Sequence, residues 1–196
     1  MDFKSAAELL ELCRNEHLPI SEVMRRRECD MAETTVDIVD HRMQKALDIM
    51  RDSATAPLKS PVKSMGGLIG GEAKKLAIHH QKGKSPCGDV LQKAMAYSMA
   101  VLEVNASMGL IVAAPTAGSA GVVPGLVLAL QDVYKISNER VVDGLFNAGS
   151  IGYLTMRNAT VAGAVDGCQA EVGVAAAVEL MGGASPRSVS TPPPPF

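Results

Sequence analysis

The segment from Asn105 to Gln131 contains no charged side chain, and this constrains the fold more than any other feature. A run of this length is long enough to cross a lipid bilayer. It contains Pro115, Pro124 and glycines at positions 109, 118, 121 and 125. Such residues make the backbone irregular, and irregular backbone is not tolerated against lipid because its polar groups would lack partners. We therefore expect buried backbone that lines a site, and no membrane span.

The composition favours a helical protein. The chain has 196 residues, of which 47% are hydrophobic, so it can bury a core of domain size. Only 3% are aromatic and none is Trp, so the core must be built from Ala, Val, Leu, Ile and the 11 Met. Ala, Leu and Met favour helix. We predict an all-α fold, mostly a helical bundle with Gly-rich loops. A net charge of -2 and few aromatic rings argue against nucleic-acid binding.

The four cysteines are Cys13, Cys29, Cys87 and Cys168, and no two of them form a C-x-x-C pair. The first residues are charged, and no apolar segment typical of a secretory signal follows them. A disulfide framework is not expected in such a chain. We therefore predict reduced thiols and a cytoplasmic location.

The pattern of helical periodicity and breaks divides the chain into four parts. These are an N-terminal helical arm (1–53), a loop or linker (54–71), a main domain (72–185) and a disordered or polyproline-like tail with four consecutive prolines (186–196). Three helices are predicted in the first part of the chain: over 5–16, after an N-cap at Ser21, and around Val36 to Met50. Five more are predicted in the main domain: over 72–81, 89–108 and 126–135, from Asn138 onward, and over 169–181. Gly-rich segments are predicted over 109–125 and 144–167.

The first Gly-rich segment contains the sequence from Ala114 to Gly121, in which small residues alternate with hydroxyls. Glycines allow backbone N–H groups to approach a ligand, and Thr116 and Ser119 add hydroxyl donors. If Ser119 or Val122 begins a helix, that N-terminus would favour a carboxylate or phosphate. The spacing matches neither a P-loop nor a dinucleotide fingerprint. The alternative interpretation is close helix packing through small residues.

The second motif runs from Gly167 to Gly173 and contains Cys168. A cysteine that follows Gly at the start of a helix has its thiolate stabilised by the helix dipole, which suits a nucleophile or a metal ligand. The alternative is a buried apolar cysteine. Glu171 is interpreted as a carboxylate at the third helical position that helps to cap this helix.

Three strings together resemble a known family: Glu103 to Gly109 (EVNASMG), Ala113 to Gly125 (AAPTAGSAGVVPG) and Gly167 to Gly173 (GCQAEVG). They resemble the alpha chain of iron–sulfur-dependent L-serine dehydratases, and the resemblance extends from about residue 3 to Pro186. It implies a lyase that converts L-serine to pyruvate and ammonia with a [4Fe–4S] cluster instead of pyridoxal phosphate. It also implies a helical catalytic domain over 72–185.

The resemblance assigns roles residue by residue. Cys168 matches the first cluster ligand. Thr116, Gly118, Ser119 and Gly121 match the loop that holds the substrate carboxylate or lines its pocket, and Asn105 is a further candidate. The general base is expected on a serine dehydratase beta chain, so none is assigned here.

The sequence departs from the family pattern after Pro186. Family members supply two further cysteines beyond this point, whereas this chain has neither, and 187–196 resemble nothing in the family. We therefore expect a truncated alpha chain that needs a beta chain and further ligands, and that forms oligomers. The alternatives are a catalytically inactive helical domain and a related lyase for another small amino acid.

Overall fold

The computed structural model describes residues 1–83, 87–159 and 167–183. Within these ranges it contains helices and no strand, which confirms the predicted all-α fold. The helices are α1 (Ala6–Asn15), α2 (Ile20–Ala32), α3 (Val36–Lys59), α4 (Glu72–Lys82), α5 (Gly88–Ala106), α6 (Val122–Tyr134), α7 (Asn138–Asn158) and α8 (Cys168–Gly183). The predicted tail at 186–196 lies outside the described residues, as does 160–166.

Helix α3 continues to Lys59, so the prediction of a loop from residue 54 was wrong at its start. Pro57 was interpreted as a break, because proline cannot donate the backbone hydrogen bond of a helix. In the structure Pro57 and Ala54 are fully buried against the core, and this burial offsets the missing hydrogen bond. The Ser60 N–H closes the helix on the Ala56 carbonyl at 2.9 Å, and the loop occupies 60–71.

Other boundaries differ by a few residues for local reasons. Helix α2 begins at Ile20, because the Pro19 carbonyl accepts hydrogen bonds from the Glu22 and Val23 N–H groups. The predicted N-cap, Ser21, therefore lies in the first turn of the helix. Helix α7 runs through the first half of the predicted Gly-rich segment 144–167. Its glycines are accommodated because tertiary packing, more than intrinsic propensity, stabilises helices in proteins.

One hydrophobic core joins early and late parts of the chain. Phe3, Val23 and Leu47 belong to the same buried cluster as Val123 and Phe146. Helix α6 lies at the centre of this arrangement and contacts α3, α5 and α8, while α7 packs between α2 and α8. In the part of the chain that the structure describes, no helix is both long and apolar enough to cross a membrane.

The basic triplet at 25–27 fastens α2 to its neighbours. The Arg25 guanidinium donates to Asp40 at 2.6 Å and to Asp143 at 2.9 Å, and it lies 4.5 Å from the centre of the Phe146 ring. Arg27 lies 3.6 Å from the centre of the Tyr153 ring. These charges therefore hold α2 against α3 and α7.

Candidate functional site

The candidate site is built around the loop at 107–121, which connects α5 to α6. At the end of α5, Met108 adopts a left-handed conformation with φ of 63°, and the Gly109 N–H donates to the Val104 carbonyl at 2.9 Å. This is the hydrogen bond of a Schellman ending, which satisfies carbonyls at the helix end and turns the chain away from the axis. The turn directs the following residues back across the end of α5.

The first half of the loop is apolar and covers a cavity of about 340 Å³. Its residues from Val112 to Pro115 line one side of the cavity, and the Ala114–Pro115 peptide bond is cis. The opposite side is lined by helical residues that include Met50, Tyr153 and Val178. The hydroxyls of Thr116 and Ser119 belong to the second half of the loop.

The second half of the loop is fixed by hydrogen bonds from predicted site residues. The Asn105 amide donates to the Ala117 carbonyl at 2.9 Å and so joins the end of α5 to the loop. The Thr116 and Ser119 hydroxyls lie 3.1 Å apart. Ser119 is buried, whereas Thr116 is only half-buried. The structure thus brings Asn105, Thr116 and Ser119 together, and Thr116 carries the more accessible hydroxyl.

Helix α6 begins at Val122, directly after this loop, with Gly121 at its N-cap. The helix predicted over 126–135 therefore begins four residues earlier than predicted, at one of the two positions that were considered for an anion-binding helix start. The Val122 N–H already donates to the Ser119 carbonyl at 3.0 Å, the Gly125 N–H donates to the Gly121 carbonyl at 3.0 Å, and Pro124 has no N–H. Little of the donor capacity that usually makes a helix N-terminus attractive to an anion is therefore left at the start of α6.

The two predicted loop glycines meet different neighbours. Gly121 is buried, and a Cβ at this position would lie 2.7 Å from the Ser98 carbonyl oxygen of α5. Gly125, one turn further along α6, would contact Ser98 and Ala94 in the same way. The alternative interpretation, close helix packing, therefore describes the surroundings of Gly121.

Gly118, in contrast, is exposed and faces the first turn of α8. A Cβ at Gly118 would lie 2.7 Å from Oε1 and 2.9 Å from Oε2 of Glu171. Glu171 is the fourth residue of α8, and its carboxylate lies against this loop, so the interpretation of Glu171 as a cap at the third position was wrong. The contact brings the second and third sequence motifs to one place.

Cys168 is the first residue of α8, as predicted from the preceding glycine. Gly167 has φ of 83°, a conformation that favours glycine, and its carbonyl accepts from the Ala170 N–H at 3.2 Å. Cys168 therefore occupies the N-terminus of this helix. Asp166, which precedes this turn, lies outside the described residues.

Glu103, in the EVNASMG string, has a role that the sequence analysis missed. Its side chain is only 2% exposed, and Oε1 accepts from the Ala73 N–H at 2.9 Å. Ala73 lies in the first turn of α4, so Glu103 caps α4 from the neighbouring helix α5. Its second oxygen, Oε2, has no hydrogen-bond partner among the described residues. A single carboxylate in an otherwise apolar helical stretch was the signal available in the sequence.

The cysteines of α1 and α2 lie in surroundings that do not favour metal binding. Cys13 is buried in the core, and burial raises the pKa of its thiol. Burial, followed by the nearby carboxylate of Asp30, raises the pKa of Cys29. A raised pKa disfavours the thiolate that metals require. Over residues 1–83, 87–159 and 167–183, no three His, Cys, Asp or Glu side chains lie close enough to hold a metal ion. The residues present therefore do not fit a complete iron–sulfur ligand set.

The fold and the site define a helical protein in which a small-residue loop meets a cysteine-bearing helix N-terminus. The family model described as serine dehydratase alpha chain matches residues 15–191. The chain belongs to the serine dehydratase alpha chain family, which confirms the resemblance carried by the three strings.

Similar proteins agree with this family. The chain is 38% identical over 192 residues to a probable L-serine dehydratase alpha chain of Bacillus subtilis. This match covers 95% of this chain and 64% of that protein. It is 36% identical to an L-serine dehydratase alpha chain of Peptoniphilus asaccharolyticus, over 91% of this chain and 63% of that protein. It is 34% identical to the L-serine dehydratase TdcG of Escherichia coli, over 96% of this chain and 43% of that protein. The chain thus spans less than two thirds of the length of these relatives.

Proposed function

We propose that this chain acts in an L-serine dehydratase, which eliminates water from L-serine to give pyruvate and ammonia. The observation that carries the proposal is the contact between Gly118 and Glu171, because it joins the loop motif to the cysteine motif in a member of this family. A substrate held by the loop would lie beside the first turn of α8, where Cys168 is located.

In this proposal the loop binds the substrate carboxylate. Thr116 donates through its hydroxyl, and Gly118 allows the backbone to approach. Ser119 and Asn105 hold the loop in shape through the hydrogen bonds described above. Gly121 contributes by allowing α6 to begin close to α5, which fixes the position of the end of the loop.

The elimination also requires activation of a poor leaving group and removal of the α-proton. We propose a [4Fe–4S] cluster, instead of pyridoxal phosphate, as the Lewis acid for the β-hydroxyl, with Cys168 as one of its ligands. Such clusters are held by several Cys thiolates. Because no group of side chains among the described residues could hold a metal ion, the other thiolates would come from elsewhere.

A serine dehydratase beta chain is the proposed partner, and it would supply the general base. This chain then contributes substrate binding and one thiolate to a shared site. We place the activity in the cytoplasm, since a reducing compartment keeps the ligand thiols available.

The test uses the chain extended by the C-terminal part of a similar alpha chain, which would supply the further thiolates, co-expressed with a serine dehydratase beta chain and purified without oxygen. After reconstitution with iron and sulfide, the complex should show cluster absorbance and release pyruvate from L-serine. Cys168→Ala should abolish both signals, whereas Cys29→Ala, the matched control on α2, should retain them. A Cys168→Ala complex with an intact cluster would remove Cys168 as a ligand.

The same assay separates the alternatives. Activity with L-threonine or L-cysteine but not with L-serine would indicate a related lyase. Absence of activity toward all three amino acids, together with normal folding and normal binding of the beta chain, would indicate an inactive helical domain and overturn the proposal.

A further inference from the structure

The carboxylate of Glu171 is the charged group that the structure places against the candidate loop. Glu171 is half-buried, and both of its oxygens lie close to Gly118. Its carboxylate makes no hydrogen bond or ion pair with any residue of the described ranges. A carboxylate in this position is therefore available to a ligand that enters the loop.

A carboxylate beside this loop is informative, because in the proposed function the loop binds a group of the same charge, the substrate carboxylate. In the proposed function the Thr116 hydroxyl and the loop backbone bind the carboxylate of the substrate. A ligand that is only an anion would be attracted by these groups and repelled by Glu171. A ligand that carries a carboxylate and an ammonium on one carbon atom satisfies both.

We propose that Glu171 accepts the α-ammonium group of the amino-acid substrate, while the loop at 116–121 holds its carboxylate. This inference rests on the proposed function and adds the residue that distinguishes an amino acid from a hydroxy acid. The hydrogen bond would be charge-assisted on both sides, which makes it one of the stronger polar contacts in a site.

Gly118 is needed for the same contact. With hydrogen in place of a side chain, the Glu171 carboxylate can lie directly on the loop backbone. Any larger residue would place its Cβ 2.7 Å from Oε1 and displace the carboxylate. Gly118 has no positive φ, so alanine is compatible with its backbone conformation. Gly118→Ala thus moves Glu171 without removing its charge.

The experiment uses the reconstituted complex of this chain with its beta chain. L-Serine is compared with 3-hydroxypropanoate, which lacks the ammonium group and keeps the carboxylate and hydroxyl. Glu171→Gln should raise KM for L-serine by about 10- to 100-fold, the effect of losing one charged hydrogen bond. The inhibition constant of 3-hydroxypropanoate should stay the same or fall, because the repulsion is removed. Calorimetric titration of both compounds gives the same comparison without turnover.

Two further variants complete the design. Gly118→Ala should weaken L-serine binding in the same direction as Glu171→Gln. Glu139→Gln, an acidic residue in the first turn of α7, is the matched control and should leave both constants unchanged. Circular dichroism of each variant verifies that the helices are retained.

The outcomes separate this inference from the proposed function. If the unmodified complex does not release pyruvate from L-serine, the proposed function fails. If it is active but Glu171→Gln weakens L-serine and 3-hydroxypropanoate equally, or lowers kcat without changing KM, the ammonium contact is refuted while the dehydratase function stands.

Discussion

Replacing Gly121 with alanine should destabilise the protein, because its surroundings leave no room for a methyl group. The new Cβ would lie 2.7 Å from the Ser98 carbonyl oxygen and 3.3 Å from the Ser98 Cα, whereas ordinary contact begins at 3.4 Å. The shortfall against the oxygen is about 0.7 Å (3.4 minus 2.7), and it must be relieved by moving backbone. Gly125 meets the same stretch of α5 one turn later, so α6 cannot pivot away from Ser98.

The expected magnitude follows from measured overpacking. Forcing a methyl group into a packed interface costs about 1–3 kcal/mol, and we expect about 2 kcal/mol here because the obstacle is backbone. With a urea slope of about 2 kcal/mol per molar, the unfolding midpoint should fall by about 1 M. The assay is urea unfolding followed by far-ultraviolet circular dichroism at neutral pH.

Gly149→Ala is the matched control, because it makes the same chemical change inside a helix with free space. The nearest atom to a Cβ at Gly149 is Met24 Cε at 4.0 Å. Alanine is favoured over glycine in a helix interior by about 1 kcal/mol, so this variant should be more stable than the unmodified protein. Equal or greater stability of Gly121→Ala would refute the close approach of α5 and α6. Unchanged stability with lost L-serine binding would instead assign Gly121 to the substrate site.

Two other predictions concern carboxylates that hold elements together. Glu103→Ala should lower the free energy of unfolding by about 2–3 kcal/mol and speed amide exchange at Ala73, because the cap of α4 is lost. Glu103→Gln keeps an oxygen acceptor and should therefore lose less stability. Equal losses in the two variants would contradict the capping role. The Tyr153 hydroxyl, followed by Arg27, holds the pKa of Asp2 well below its ordinary value of 3.8. A lowered folded-state pKa stabilises the protein above the unfolded-state value and loses this effect as pH falls. The urea midpoints of the unmodified protein and of the Asp2→Asn variant should therefore differ by a constant amount from about pH 7 to 5, and this difference should narrow below about pH 4. A difference that widens in acid would contradict this reasoning.

Much of the helical architecture could be predicted because its signals are local. The stop at Gly83, the start near Asn138 and the start of α8 after Gly167 follow from capping chemistry and periodicity within a few residues. The end of α3 could not be predicted in this way. A proline near the end of a helix is a break by local rules, and only the burial of Pro57 in the core allows α3 to continue.

The candidate site likewise has some features that follow from neighbouring residues in the sequence and others that depend on tertiary packing. The position of Cys168 at a helix start follows from the preceding glycine, whereas the start of α6 at Val122, ahead of the predicted 126, and the contact of Gly118 with Glu171 depend on how the helices pack. The capping of α4 by Glu103 likewise joins two helices that no spacing rule relates. Close packing at Gly121 and open approach at Gly118 look alike in sequence, because glycine has no side chain to distinguish them.

The charge-free stretch from Asn105 to Gln131 has two separate causes. Its second part, from Val122, is a central helix surrounded by α3, α5 and α8, so a charge there would be buried without a partner. Its first part is a loop that offers only neutral donors, such as the Thr116 hydroxyl. Under the proposed function, the groups of this chain that can carry charge at the site, Cys168 and Glu171, both belong to α8. Because neutral donors bind any carboxylate, discrimination among small acids would then rest on the first turn of α8.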